Sequence, residues 1–185
     1  MSHPPPATKP AWTLTAVSYA SPDARRLTRA LYREQLATYG FADDPAGTPA
    51  GEFEAPHGTF LVASPGGGPA LACGGWRTAG PGTAEVKRMY VALAVRGHGL
   101  GRRVLEALEN DAVRRGMTQT ILETGARNRA ALSLYAAWGY TRVPSYVAGR
   151  DLDVNPAMRK FLGPPATKTA EREVHAIPAT SPDTG

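Results

Sequence analysis

The segment Glu85-Val-Lys-Arg-Met-Tyr-Val-Ala-Leu-Ala-Val-Arg-Gly-His-Gly-Leu-Gly101 constrains this chain more than any other. Alternation from Thr83 to Val91 reads as a strand, and glycines at 97, 99 and 101 read as a turn. From Gly99 to Arg115, Leu100, Val104, Leu105, Leu108 and Val113 form a helical stripe, closed by Gly116. Strand, glycine turn and helix together make an anion cradle. Glycines let backbone N–H groups approach a phosphate without Cβ obstruction, and the helix adds unpaired N–H groups and its positive dipole end. The dipole contributes only about 0.3–1 kcal/mol per charge, so converging N–H bonds must supply most of the affinity.

The remaining elements follow from periodicity and caps. Thr13 to Val17 alternates as a strand, and Ser21-Pro22-Asp23 supplies an N-cap, a first-turn proline and an acid for a helix over 22–39, stopped by Gly40. Residues 41–56 are Pro/Gly-rich and acidic, a loop with room for one short helix. Thr59 to Ala63 and Ala70 to Arg77 read as strands around Pro65-Gly66-Gly67-Gly68-Pro69, a turn composition. Gln119 to Glu123 is a further strand. Asn128 then caps a helix whose Ala131, Leu134, Tyr135 and Trp138 share one face, with Gly139 as its stop. Tyr140 to Val143 and Ala157 to Leu162 close the chain as strands, giving an α/β (α+β) order with a mixed sheet flanked by helices.

A nucleoside triphosphate loop would end in Gly-Lys-Ser/Thr, and a dinucleotide fold would carry G-x-G-x-x-G after the first strand of a βαβ unit. Neither is present. Arg96-Gly97-His98-Gly99-Leu100-Gly101 instead resembles the R/Q-x-x-G-x-G/A signature of the GNAT superfamily of acyl-CoA-dependent N-acyltransferases. The resemblance runs in order from Ala84 to Tyr140: acidic residue, strand, pyrophosphate loop, helix, strand, Asn-capped helix and Trp-Gly-Tyr. Leu93 departs from it, standing where many members have proline.

The resemblance implies the GNAT fold, a central mixed and mostly antiparallel sheet, and acetyl-CoA as cosubstrate. It implies that the backbone of Met89, Tyr90 and Val91 pairs with pantetheine, and that the N–H groups of Arg96, Gly97, His98, Gly99, Leu100 and Gly101 hold the pyrophosphate. Arg102 and Arg103 read either as helpers with phosphate charge or as a solvated helix face. Asn128 is a helix cap that the resemblance also places beside the cofactor. Many members keep a general base at the strand position of Glu85 and a tyrosine acid at that of Tyr135. Strand alternation puts Glu85 and Met89, four residues apart, on one face near the thioester. A carboxylate there suits an ammonium acceptor, which must lose a proton before its nitrogen attacks. The alternatives are a strand-end glutamate for Glu85 and a core aromatic for Tyr135; His57, in a Pro/Gly loop, is a competing base.

Composition narrows the rest. A chain of 185 residues with 42% hydrophobic content supports one domain, placed at 11–163, and the Pro/Thr/Ala-rich segments 1–10 and 164–185 read as disordered tails. The opening lacks the basic-then-apolar order of a signal peptide, and no run approaches the ~18 apolar residues of a membrane span, so a cytoplasmic protein without a membrane partner is expected. Cys73 stands alone, which forbids an intrachain disulfide and any Cys-based metal site; no metal is expected, and an acyl-cysteine scheme lacks an adjacent base. The net charge of +5 is modest and partly gathered around residues 87–103, which suits phosphate better than nucleic acid. Asp43, Asp44, Glu52 and Glu54 sit in a loop without a basic residue, and such a loop favours a cationic amine; the alternative is a solvated acidic loop. Trp76, Phe53 and Tyr146 are candidate aromatic walls. The expected function is acetyl transfer to a small-molecule primary amine; a protein or peptide N-acetyltransferase and a silent acyl-CoA sensor stand as alternatives, and a homodimer stays open.

Overall fold

The computed structural model describes residues 11–163; the two expected tails lie outside them. The element order is β1 (Trp12–Ala16), α1 (Pro22–Tyr39), β2 (Gly58–Pro65), β3 (Ala72–Gly80), β4 (Thr83–Val91), α2 (Leu100–Arg114), β5 (Gln119–Glu123), α3 (Arg129–Ala137), β6 (Thr141–Val143) and β7 (Ala157–Phe161). The strands form one seven-stranded sheet in the order β1-β2-β3-β4-β5-β7-β6. Every pairing is antiparallel except β4 with β5. Two short 3₁₀ turns, Pro45–Gly47 and Ala50–Phe53, occupy the loop after α1.

The caps act as their residue types require. Ser21 Oγ accepts from the Ala24 N–H at 3.3 Å, and Gly40 ends α1 at φ 79°, a conformation that favours glycine. Asn128 Oδ1 accepts from the Ala131 N–H at 3.1 Å and opens α3.

Alternation in β3 sorts the core into two halves. A Cβ at Gly74 would collide with Met89 Sδ and crowd Val104 and Leu108 of α2; one at Gly75 would strike the Phe53 and Phe60 rings on the other face. The first half gathers Trp76, Val86, Val104, Leu105, Leu108, Leu122, Tyr135 and Tyr140. The second gathers Tyr19, Leu27, Phe53, Phe60 and Cys73 under α1.

Two local features position the site. β4 and β5 are paired only from Thr83–Gln119 to Glu85–Ile121, and beyond that point they part. Past the fork, β4 also carries a bulge: Cys73 faces Tyr90 and Gly75 faces Lys87, so Gly74 opposes both Arg88 and Met89. Arg88 sits at φ 60°, strained for a non-glycine residue, and its guanidinium bonds the Asp43 carbonyl at 3.0 Å and Thr48 Oγ1 at 2.9 Å. The expected common face for Glu85 and Met89 is therefore corrected. The extra residue turns Met89 towards α2 with Val86, while Glu85 lies on the α1 face with its cross-strand neighbour Arg77.

Candidate active site

Between the parted strands lies a cleft of about 420 Å³, lined by Met89, Tyr90 and Val91, by Gly97 to Arg102 except His98, and by Asn128, Leu134 and Tyr135 of α3. Gly97 and Gly99 have φ 81° and 76°, and Gly99 caps α2 without a side-chain hydrogen bond. Among the described residues, no backbone N–H from Gly97 to Arg102 has a protein partner. A row of unpartnered donors at a helix N-terminus fits a pyrophosphate. The free edge of β4 beyond Glu85, paired with β3 on its other side only, fits an extended amide chain such as pantetheine.

The side chains around this cradle differ in role. Arg96 Nε donates to the Val91 carbonyl at 2.8 Å and its Nη2 to Glu34 at 2.6 Å, and the Glu34 bond holds its pKa above the usual value. Arg96 thus ties the loop to α1. Arg102 lies over the Trp138 ring at 5.1 Å and lines the cleft, whereas Arg103 donates to the Trp12 carbonyl at 3.5 Å and is outside the cleft lining. His98 is exposed, and its side chain lies outside the cleft lining.

Tyr135 is 5% exposed and packs against Tyr140 with ring centroids 5.6 Å apart. Its hydroxyl has no protein hydrogen-bond partner among the described residues, and burial pushes its pKa up. Packed ring and protonated hydroxyl at a cleft wall are compatible with an acid's role.

A smaller cleft, about 120 Å³, adjoins the first through Val86, Lys87, Glu123 and Thr124, with Tyr39 and Phe41 at its α1 side. Arg150 spans its mouth, reaching Asp43 at 3.0 Å and Glu123 at 3.7 Å. Glu85 floors this cleft with both oxygens occupied: Lys87 Nζ (3.2 Å) and the Tyr146 hydroxyl (3.1 Å) donate to Oε1, and Arg77 Nε (2.7 Å) donates to Oε2. Burial pushes the Glu85 carboxyl up, but Lys87 and Arg77 outweigh it and hold it below the usual carboxylate range.

Glu123 is the candidate residue that sequence reasoning missed. β5 buries Thr120 and Leu122, so Glu123 shares the other face with Ile121, which pairs with Glu85. Burial raises its pKa, against the lowering effects of the Ser145 hydroxyl and Arg150. It lines both the large and the small cleft. Its signal was a carboxylate ending the strand before the Asn-capped helix.

The fold disposes of the remaining candidate residues in different ways. Trp76 is fully buried on the α2 face, its Nε1 donating to Asp111 at 3.0 Å, and Phe53 is 1% exposed in the core, so neither walls an acceptor site. Tyr146 does reach the site. The acidic loop is not a free anionic surface: Asp43 pairs with Arg150, Asp44 caps Ala46, Glu52 pairs with Arg77 and Glu54 accepts from Ser18. Cys73 is fully buried, burial pushes its thiol pKa far up, and its Sγ–H points at the Arg88 carbonyl (3.4 Å), all against a nucleophilic role. Among the described residues, His57 makes no side-chain hydrogen bond or ion pair with Glu85 or Glu123; it lines a separate cleft that Glu85 also borders.

A sheet forked beside an unpartnered glycine loop defines an acyl-CoA-binding fold, and comparison with known proteins agrees. The family model described as Acetyltransferase (GNAT) family matches residues 24–140, and the chain belongs to that family. An IAA acetyltransferase from Azospirillum brasilense is 41% identical over 59 residues, 32% of this chain and 39% of that relative's length. An uncharacterized N-acetyltransferase from Schizosaccharomyces pombe is 30% identical over 123 residues, 63% of this chain and 76% of its own. The solved structure of a Klebsiella pneumoniae protein assigned to the acyl-CoA N-acyltransferases superposes with TM-score 0.69 at 27% identity, over 82% of this chain and 98% of that one. A GNAT-family acetyltransferase from Staphylococcus aureus, at TM-score 0.66 and 14% identity over 83% and 100%, shares the fold.

Proposed function

We propose that this protein transfers the acetyl group of acetyl-CoA to a small primary amine by direct attack of the amine nitrogen. The observation that carries the reading is the junction of two clefts at Glu123 and Thr124: one fits the cofactor, the other a compact acceptor. The acceptor cleft is of the scale of a cavity that holds one benzene ring, roughly 150 Å³. That favours a compact amine head over a bulky one.

Bound acetyl-CoA supplies the activated acyl group. Glu123 accepts the proton that the ammonium must lose, directly or through one water. Its raised pKa makes it the better base of the two carboxylates, since Glu85 is already committed to three donors. Glu85 then acts as a positioning residue that fixes Lys87, Arg77 and Tyr146. The Tyr135 hydroxyl returns a proton to the departing thiolate. The single buried thiol suits a reducing cytoplasm. Incubation with acetyl-CoA and a panel of small amines, following free thiol and acetylated product, tests this. Amine-dependent thiol release supports the reading; cofactor binding without transfer to any amine sinks it.

A further inference from the structure

On the far side of Glu85 lies a second cleft, of about 650 Å³, that the proposed reaction leaves unused. Glu85 floors both it and the acceptor cleft, so the two meet at this one carboxylate. The walls of the second cleft come from Glu52 and His57 of the loop after α1, Arg77 of β3, Ile121 of β5, and Tyr146 of the loop before β7. Tyr146 is 37% exposed, and its hydroxyl reaches over to Glu85 at the junction. Glu85 and the Tyr146 hydroxyl stand between the two clefts, so a longer acceptor extends this way only where that bond opens.

The second cleft holds two carboxylates of unequal commitment. Glu85 is bound by Arg77, Lys87 and Tyr146, whereas Glu52 is bound by Arg77 alone. Glu52 is about one-third exposed and has no partner other than Arg77 among the described residues, so it keeps acceptor capacity towards the cavity. The other acids of its loop are engaged elsewhere: Asp43 with Arg150, Asp44 with a backbone N–H and Glu54 with Ser18. Of the four loop acids only Glu52 lines this cleft, so it is the loop carboxylate that an incoming cation meets there.

We propose that this second cleft is an acceptor subsite that binds the distal ammonium of a diamine-type acceptor, with Glu52 as the recognising carboxylate and Tyr146 as the gate over Glu85. The inference rests on the acetyl-transfer reading, with the reacting amine at Glu123. Linear diamines from ethylenediamine to octamethylenediamine test it, each assayed beside the monoamine of the same chain length with acetyl-CoA and the full chain. The ratio of diamine to monoamine kcat/KM is expected to peak at one chain length. Glu52→Gln is expected to lower that peak ratio about tenfold, through KM rather than kcat. Tyr146→Phe, which removes the bond to Glu85 and keeps the ring, is expected to raise kcat/KM for the longer diamines relative to the shorter ones. A ratio that stays flat with length, or that neither variant changes, overturns the subsite and leaves acetyl transfer standing. Failure of monoamines and diamines alike to release thiol overturns the transfer reading and the subsite with it.

Discussion

Replacing Gly99 with valine perturbs the cofactor cradle in two separable ways. Gly99 sits at φ 76°, and a Cβ built there meets no heavy atom within 4 Å. The cost to the fold is therefore backbone strain without a packing clash, about 1–2 kcal/mol for an L side chain in the left-handed region. At about 2–4 °C per kcal/mol for a chain of this size, the melting temperature should fall by about 2–8 °C. The cost to binding is different, because the new side chain stands where N–H groups from Gly97 to Arg102 are free for an anion. Losing even one hydrogen bond to a charged group costs about 1.5–3 kcal/mol, so acetyl-CoA affinity should drop at least about tenfold. Gly99→Ala carries the same strain with less obstruction and should lie between the two. Differential scanning fluorimetry without ligand measures the first effect, and titration calorimetry with acetyl-CoA the second. Unchanged affinity in a Gly99→Val protein whose circular dichroism matches wild type would remove this loop from the cofactor site.

Three further outcomes are expected. Tyr135→Phe should lose kcat with acetyl-CoA affinity near wild type, and alkaline buffer should not restore it, because a more basic solvent does not supply the missing acid; a pH series of kcat on one amine decides this. Tyr140→Phe removes a buried hydroxyl that donates to Glu109 Oε1 at 2.9 Å and accepts from Thr120 Oγ1 at 2.8 Å, and should cost about 1–3 kcal/mol in urea unfolding. Glu85→Gln should flatten the acid side of the stability curve. The Glu85 carboxyl is held below its unfolded value, about 4.3, so its contribution is present above that pH and lost as pH falls through the lower folded pKa; melting curves across that range should show a smaller acid loss in the variant.

Much of this architecture was legible because local and tertiary signals agree. β4 and β5 fall at Thr83–Val91 and Gln119–Glu123 as the alternation predicts, and α1 spans Pro22–Tyr39 between its cap and its glycine stop. The cradle was legible because glycines before a helix have few other uses. The face of Glu85 was not, because the bulge depends on Arg88 adopting φ 60°, which its residue type does not announce. β3 runs on to Gly80, where the sequence stops at Arg77, because its backbone keeps pairing with β4 through Thr78–Ala84. The acidic loop misled for a physical reason: partners such as Arg77 and Arg150 arrive from strands and loops distant in sequence. Glu123 was hidden by a similar limit, since the value of a strand-end carboxylate depends on where the neighbouring strand parts from it.

The most direct test of the central claim is the pH–rate profile of Glu123→Gln beside wild type, on one small amine that the wild-type protein acetylates. In wild type, kcat/KM should fall on the acid side with an apparent pKa above the ordinary glutamate value, about 4.3, because the deprotonated Glu123 carboxylate is the active form. In the variant, kcat/KM near neutral pH should drop by about 10²–10⁴ and recover as pH rises and the amine deprotonates in solution. A Glu123→Gln protein that matches wild type at every pH would contradict the assignment and return the proton to water or to Glu85.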